Sequence, residues 1–237
     1  ISGGVGNYSL VFSGSGLAPD TSSTITVSAG VGHADSTTVI VPDGTAGQVT
    51  TITITVRDAS GNPVTGWADS LAVVITGAND TTVTVTDNND GTYTAAYMPV
   101  GAGSDTVVVS LAGQPVSGSP DVSTVLPSGA ATLRFVSQPH DTVAGAVFTP
   151  VTVHIEDTHG NLVSTASNAV TLTLTTPNGA TLSGGTSVNA ENGVATFSSL
   201  FIDKVGTYTL TATSASLAET ESDSITITAG ALAKVVI

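Results

Sequence analysis

Two histidines beside two carboxylates are the residues of this sequence whose spacing suggests a metal site or an acid-base pair. His154 and His159 lie five positions apart and flank Glu156 and Asp157. In an alternating strand His154 shares its outward face with Glu156, whereas His159 falls in the turn that follows. A common ligand point is not expected from this arrangement, and we interpret these four side chains as surface residues. Two further histidines, His33 and His140, have no partner at metal-ligand spacing.

An acidic turn at residues 87–91 (Asp-Asn-Asn-Asp-Gly) superficially resembles a calcium loop. It lacks the alternating ligand positions and the terminal Glu of an EF-hand. We therefore expect a structural turn, in which Gly91 takes a conformation that a β-carbon would oppose. Calcium bound between domains is an open alternative, and it would use acidic residues near the predicted junctions: Asp35, Asp121, Asp141 and Asp223.

Lys204 and Trp67 are single residues with a possible special role. Some surface domains join a Lys to an Asn or Asp across their core, but Lys204 directly precedes a turn at Gly206, where a charge is expected to be solvated. Trp67, the only Trp, could stack on a sugar or fill part of a core. Because it has no polar neighbours, packing is the favoured interpretation.

Serine and threonine are abundant, but no nucleophile with an adjacent base is present. The glycines fall at turns and no helix follows them to receive a phosphate. We therefore predict no catalytic residue, no cofactor-binding residue, no resident cofactor and no metal ligand, so the chain is not expected to be an enzyme.

Composition and charge exclude several classes of partner. The 237 residues include 18 Asp and Glu against 4 Lys and Arg, a net charge of −14, which repels nucleic acid and anionic membranes. Without cysteine the chain has neither a disulfide nor a thiolate zinc site. No run of 18 apolar residues and no signal-peptide pattern at Ile1 is present, so we expect no membrane insertion and an internal piece of a longer protein.

Apolar and polar residues alternate with period two in many short runs. Residues 52–56, 151–156, 170–175 and 225–228 each place Ile, Val or Leu on one side and mainly Thr on the other. This pattern is typical of half-buried antiparallel strands, and no helical stripe accompanies it. The fold class predicted from it is all-β.

The same elements recur at nearly constant intervals. A turn that begins at Asp58 recurs 99 positions later at Asp157, and small-residue junctions end at Gly30, Gly129 and Gly230. A Gly-x-Tyr element occurs three times, with its tyrosines at the positions Tyr8, Tyr93 and Tyr208. A unit of about 100 residues with about seven strands predicts tandem immunoglobulin-like antiparallel β-sandwiches, in which the recurring Tyr would form a tyrosine corner.

The repeats divide the chain into four parts. Residues 1–30 are predicted to be the C-terminal strands of a truncated domain, 31–128 and 129–230 two complete domains, and 231–237 the first strand of a further domain.

Two kinds of repeat are recognisable. Residues 129–230 resemble bacterial Ig-like repeats of large surface and secreted proteins, on the motifs at 136–139, 157–161, 193–197 and 206–212. Residues 31–128 are similar to filamin-type and invasin-like repeats, on the motifs at 87–93, 97–99 and 113–120. The resemblance implies an extracellular or cell-surface protein.

The function expected is a non-catalytic structural segment of a stalk, filament or surface-layer-type protein. The alternatives are an adhesin or carbohydrate-binding module and accessory domains of a secreted hydrolase. The expected partners are neighbouring domains of the same chain, and other copies or cell-surface polymers are open alternatives.

Overall fold

The structure is a computed structural model that describes residues 4–231, and it forms two compact units, Ile1–Leu126 and Pro127–Ile237. Within the described residues the regular elements are β-strands and two short 3-10 helices, at Ala34–Ser36 and Ala68–Ser70. The prediction of an all-β chain is confirmed. Most of the strand predicted at 231–237 lies outside the described residues.

The first unit contains fourteen strands in chain order. They are β1 (Gly6–Tyr8), β2 (Val11–Phe12), β3 (Asp20–Thr21), β4 (Ile25–Val27), β5 (Thr38–Ile40), β6 (Gly44–Thr45), β7 (Thr50–Thr55), β8 (Leu71–Gly77), β9 (Thr81–Val83), β10 (Val85–Asp87), β11 (Thr92–Tyr97), β12 (Gly103–Leu111), β13 (Gln114–Pro115) and β14 (Asp121–Leu126).

Two sheets of the first unit pack face to face. One has the order β10-β11-β7-β5, and the other has the order β6-β14-β12-β8-β9 with β13 added to β12. Strand β7 shows why: Ile52 and Ile54 are fully buried, whereas the alternating Thr51, Thr53 and Thr55 lie on the opposite face. The side chains that point inward from both sheets form one continuous core, as expected for a sandwich.

The second unit contains twelve strands in chain order. They are β15 (Thr132–Ser137), β16 (Thr142–Val143), β17 (Val151–Glu156), β18 (Ala169–Leu174), β19 (Leu182–Ser183), β20 (Ser187–Asn189), β21 (Val194–Phe197), β22 (Phe201–Ile202), β23 (Gly206–Tyr208), β24 (Leu210–Thr213), β25 (Thr220–Glu221) and β26 (Ile225–Thr228).

These strands form a second sandwich around their own core. The main sheets are β15-β17-β21, β16-β26-β23 and β20-β18-β24-β25, with β19 paired to β22. Strand β17 alternates as predicted, with Val151, Val153 and Ile155 fully buried. Those residues pack with the inward side chains of β18, β21 and β24.

The prediction that the recurring Tyr forms a tyrosine corner is wrong for Tyr93. Tyr208 lies on β23, which pairs with β26, whereas Tyr93 lies on β11, which pairs with β7. The residue at the start of the second-last long strand of the first unit is Gly103, whose φ of +146° matches the +157° of Gly206. Asp105, two residues after Gly103, therefore occupies the position of Tyr208.

The tyrosine hydroxyls differ in the same way. Tyr208 donates to the carbonyl of Val205, 3.3 Å away and three residues upstream, as a tyrosine corner would. Tyr93 donates instead to the carbonyl of Val64, 2.8 Å away and 29 residues upstream. Tyr93 is thus a fully buried core residue that joins two distant segments.

Candidate functional site

One aspartate in each repeat binds the segment that leads into that repeat. Asp58, in the turn after β7, accepts hydrogen bonds from the backbone N–H groups of Ser60 and Asn62, both at 2.9 Å. Its second oxygen accepts from the N–H of Gly30 at 2.8 Å and from the Asn62 side chain at 3.0 Å. The carboxylate thus ties the turn to residue 30 of the preceding segment.

Asp157 repeats this arrangement in the second unit. Its carboxylate accepts from the backbone of His159 at 2.8 Å and of Asn161 at 2.9 Å. It also accepts from the N–H of Ser128 at 2.9 Å and from the Asn161 side chain at 2.9 Å. The partners within the two turns therefore lie 99 positions apart, and each aspartate also binds one backbone N–H of the entering segment, that of Gly30 or of Ser128.

Hydrogen bonding keeps both carboxylates ionised. The bonds from the Asn62 side chain and from the N–H groups of Gly30 and Asn62 lower the pKa of Asp58 to about 2. For Asp157, burial raises the pKa, but the bonds from Asn161, Ser128 and His159 outweigh it, and the pKa lies well below its ordinary value. Each ion is stabilised by donors that only the folded chain brings together.

In each sandwich a short strand near the N-terminal end is paired in parallel with the last strand. In the first unit β6 pairs with β14, and the N–H of Ala46 donates to the carbonyl of Leu126 at 2.9 Å. In the second unit β16 pairs with β26, and Ala144 donates to Thr228 at 2.9 Å. We name these two strand pairs the terminal clamps.

An aspartate caps each terminal clamp. The carboxylate of Asp43 accepts from the backbone N–H of Thr124 at 2.8 Å, and that of Asp141 accepts from the N–H of Thr226 at 2.7 Å. Asp141 is one of the acidic residues considered for calcium, and its contact is with backbone of its own unit.

A buried polar network that the sequence reasoning missed lies at one end of the first unit. Asp105 is 0% exposed and accepts from the N–H of Asn79 at 2.8 Å and from the Tyr97 hydroxyl at 3.0 Å. Asn79 in turn accepts from the N–H groups of Val100 and Gly101, each at 2.9 Å. The network joins the β8–β9 turn to the connection between β11 and β12. The sequence carries a signal for this position, because the distance from Gly103 to the junction at Gly129 is close to the distance from Gly206 to Gly230. This spacing aligns Asp105 with the core residue Tyr208.

The acidic turn at residues 87–91 is held by hydrogen bonds within itself, to Thr92 and to the N–H of Gly66. Asp87 accepts from the N–H of Asn89 at 2.8 Å, and Asp90 accepts from the N–H of Thr92 at 2.8 Å. Gly91 has φ of +88°, and a β-carbon there would lie 2.4 Å from the β-carbon of Pro63. Its backbone approach to Pro63 therefore requires glycine.

Asp157, predicted to be a surface residue, is 1% exposed. The structure also places Glu156 differently from its prediction as a solvated surface residue. Its side chain is 5% exposed and accepts from the Nε of Arg134 at 2.7 Å, with His154 3.8 Å away. Alternation indicated the correct face of β17, but Arg134 on the neighbouring strand covers the carboxylate. This contact raises the pKa of Arg134. His159 lies in the aspartate turn, so the two histidines do not share a ligand point.

The remaining candidates have ordinary surroundings. His33 lies 4.0 Å from Asp35, and both side chains are largely exposed. His140 lies 3.4 Å from the Thr149 hydroxyl, and the exposed Lys204 donates to the carbonyl of Asn178 at 2.8 Å.

Trp67 packs against the core of the first unit, where a β-carbon on Gly32 would lie 3.3 Å from the indole. Asp121 accepts from the N–H of the adjacent Val122, and the N–H of Asp223 donates to the side chain of Gln138.

No group of three or more His, Cys, Asp or Glu side chains is placed to hold a metal ion within residues 4–231. Calcium between domains stays a prediction from the sequence. No helix in the same described range is long and apolar enough to cross a membrane.

Comparison with known proteins shows what part of the chain is similar to. Residues 22–122 match the Filamin/ABP280 repeat family. The middle of the chain is thus similar to a filamin-type repeat, and we use that name for it below. This agrees with the motifs at residues 87–93, 97–99 and 113–120.

Solved structures of bacterial adhesins match the filamin-type repeat together with its neighbours. FdeC, an adhesin of Escherichia coli, is 28% identical, with a TM-score of 0.52 over 87% of this chain and 68% of FdeC. Invasin, described as a bacterial integrin-binding protein, is 18% identical, with a TM-score of 0.50 over 94% of this chain and 46% of that chain. The chain is thus a tandem array of Ig-like repeats of the kind found in bacterial adhesins.

Proposed function

We propose that this chain is a non-catalytic, load-bearing segment of an extracellular stalk, which separates the anchor of a bacterial surface protein from its binding part. The observation that carries this proposal is the terminal clamp that recurs in both repeats. The similarity to adhesin structures supports a surface location.

The parallel pairing determines how a clamp responds to tension. Tension along the chain acts on the N-terminal end of the early strand of each clamp and on the C-terminal end of the last strand. When two parallel strands are pulled from opposite ends, their hydrogen bonds are loaded together along the strand axis instead of one after another. Each clamp therefore resists extension as a group of bonds.

The aspartate turns support the same role by leaving little free chain between repeats. Strand β14 ends at Leu126, and Ser128 is already bonded to Asp157 of the second unit. Only Pro127 lies between these two ordered positions, and its ring restricts φ. A linker this short can lengthen very little when a stalk is under tension.

Force spectroscopy on single molecules tests the proposal. Each molecule of the native chain is expected to show two unfolding events, and Asp141→Ala, which removes the cap of one clamp, is expected to lower the force of one of them. Asp203→Ala is the matched control, because Asp203 also accepts one backbone N–H, that of Thr181 at 2.7 Å, but its carboxylate bonds neither strand of the clamp. Equal effects of the two substitutions would contradict the load-bearing role of the clamps.

A further inference from the structure

Residues 5–27 present an apolar face to solvent. Tyr8 is 40% exposed, Leu10 46%, Phe12 60% and Ile25 41%, although all four lie on or next to strands β1, β2 and β4. Large apolar side chains gathered on one side of paired strands are normally covered. We name this surface the open face.

The same backbone occurs in a closed form 200 positions later. Strand β1 pairs with β4 as β23 pairs with β26, so that Gly6 lies opposite Val27 and Gly206 opposite Ile227. Gly6 and Gly206 have φ of +154° and +157°.

A serine marks the same equivalence in the adjoining strands. The N–H of Leu10 binds the hydroxyl of Ser22 at 2.9 Å, and the N–H of Leu210 binds that of Ser222 at 2.9 Å. Residues 6–30 and 206–230 are therefore two copies of one structural element.

The second copy shows what the open face is built to contact. Tyr208 is 3% exposed, whereas Leu210, Ala212 and Ile225 are 0% exposed. They are covered by the inward side chains of β17, β18 and β21, which belong to the same core.

The backbone edges of the two copies differ in the same way. In the second unit β16 pairs in parallel with β26, and β18 pairs in antiparallel fashion with β24. The corresponding strands of the first copy, β4 and β2, form two-stranded sheets with β1 and β3. One added strand cannot serve both edges, because they belong to different sheets.

From these observations we infer that the open face is half of a sandwich, and that its occupant is a segment with the strand pattern of residues 129–205 joined upstream of Gly6. The flanking residues match this join, since Val5-Gly6-Asn7-Tyr8 parallels Val205-Gly206-Thr207-Tyr208. The inference concerns assembly of the array and does not depend on the load-bearing role.

A chimeric chain tests the inference directly. Residues 129–205 are joined to residues 6–237, and a second version also carries Phe12→Ala, because the closed copy has Ala212 at that position. Hydrogen exchange of the amides in residues 6–27 is expected to slow by about 100-fold or more relative to the 237-residue chain. Unchanged exchange in both versions would overturn the inference.

A pair of substitutions in the 237-residue chain gives an independent test. Leu210→Ser is expected to accelerate exchange throughout the second unit by about 100-fold or more, whereas Leu10→Ser leaves exchange of both units unchanged. In the chimera Leu10→Ser is expected to accelerate exchange of the new repeat. Strong destabilisation by Leu10→Ser in the native chain would show that the face is already covered.

A second copy of the chain is the competing occupant. If it covered the open face, exchange of residues 6–27 in the unmodified chain would slow as protein concentration rises, and sedimentation would show a dimer. That result would overturn the inference, which predicts exchange independent of concentration.

Discussion

The filamin-type repeat and the second unit fill the same strand position with opposite chemistry. Two residues after the glycines at 103 and 206, the filamin-type repeat has Asp105 and the second unit has Tyr208. The first is 0% exposed and the second 3% exposed. A hydrogen-bonded carboxylate thus occupies the place of an aromatic ring in an otherwise similar sandwich.

Other features are the same in both repeats. The aspartate turns at Asp58 and Asp157 and the clamp caps at Asp43 and Asp141 each accept a backbone N–H from another segment of their repeat at 2.7–2.9 Å. The residue two positions after Gly103 and Gly206 therefore differs between the repeats, whereas the aspartate turns and the clamp caps are present in both. The core can thus be completed by different side chains, whereas the same contacts hold the entering segment and the last strand in both repeats.

Removal of the buried carboxylate is expected to have the largest effect. Asp105→Ala leaves the N–H of Asn79 and the Tyr97 hydroxyl buried without their acceptor, and the filamin-type repeat should lose about 3 kcal/mol of unfolding free energy. Hydrogen exchange in denaturant, resolved by unit, measures this loss. Asp105→Asn keeps one acceptor oxygen and should lose less. If the alanine variant loses less than about 1 kcal/mol, the filamin-type repeat does not depend on a polar contact at this position, and the contrast with the aromatic core residue Tyr208 would be contradicted.

Acid is expected to weaken both repeats through their shared aspartate turns. The folded pKa values of Asp58 and Asp157 lie below the ordinary 3.8, so their contribution is complete above about pH 4 and is lost as the pH falls through the folded values, about 2 for Asp58. Chemical unfolding between pH 5 and about 2 should show stability decreasing in each unit. Asp58→Asn should flatten this dependence in the filamin-type repeat alone. An unchanged slope in that variant would assign the acid sensitivity to other carboxylates.

The ion pair of Arg134 and Glu156 is expected to contribute to the second unit alone. Arg134→Ala leaves the nearly buried Glu156 carboxylate without its arginine partner. Because the arginine side chain is 56% exposed, the second unit should lose only about 1 kcal/mol of unfolding free energy. Arg57→Ala is the control in the filamin-type repeat, because Arg57 donates to the carbonyl of Gly61 at 2.8 Å. Thermal unfolding of both variants measures the difference, and a larger effect of Arg57→Ala would reverse the assignment.

The smallest expected effect is that of the tyrosine hydroxyl. Tyr208→Phe keeps the aromatic ring in the core and removes a bond of 3.3 Å, so the second unit should lose about 0.5 kcal/mol. Unfolding in urea at neutral pH measures it. A loss as large as that of Asp105→Ala would mean that both repeats depend equally on a polar contact at this position.

Local patterns predicted much of this fold because strands and turns carry local signals. The alternation in residues 151–156 indicated β17, and the 99-residue interval from Asp58 to Asp157 indicated equivalent turns that the structure shows to be wired alike. The misplacement of Tyr93 has a physical reason: a Gly-x-Tyr sequence specifies a turn and a strand but not the partner strand. The burial of Glu156 and of Asp105 likewise depends on neighbours that are distant in sequence, Arg134 and Asn79.

The most direct test of the load-bearing role is the dependence of unfolding force on pulling direction. The chain has no cysteine, so a pair of introduced cysteines provides unique attachment points. Handles at His140 and Gly230 pull β16 and β26 from opposite ends, whereas handles at Val147 and Gly230 pull both from the same end and break their bonds one after another. The account predicts a clearly higher unfolding force for the first geometry. Equal forces in the two geometries would contradict it.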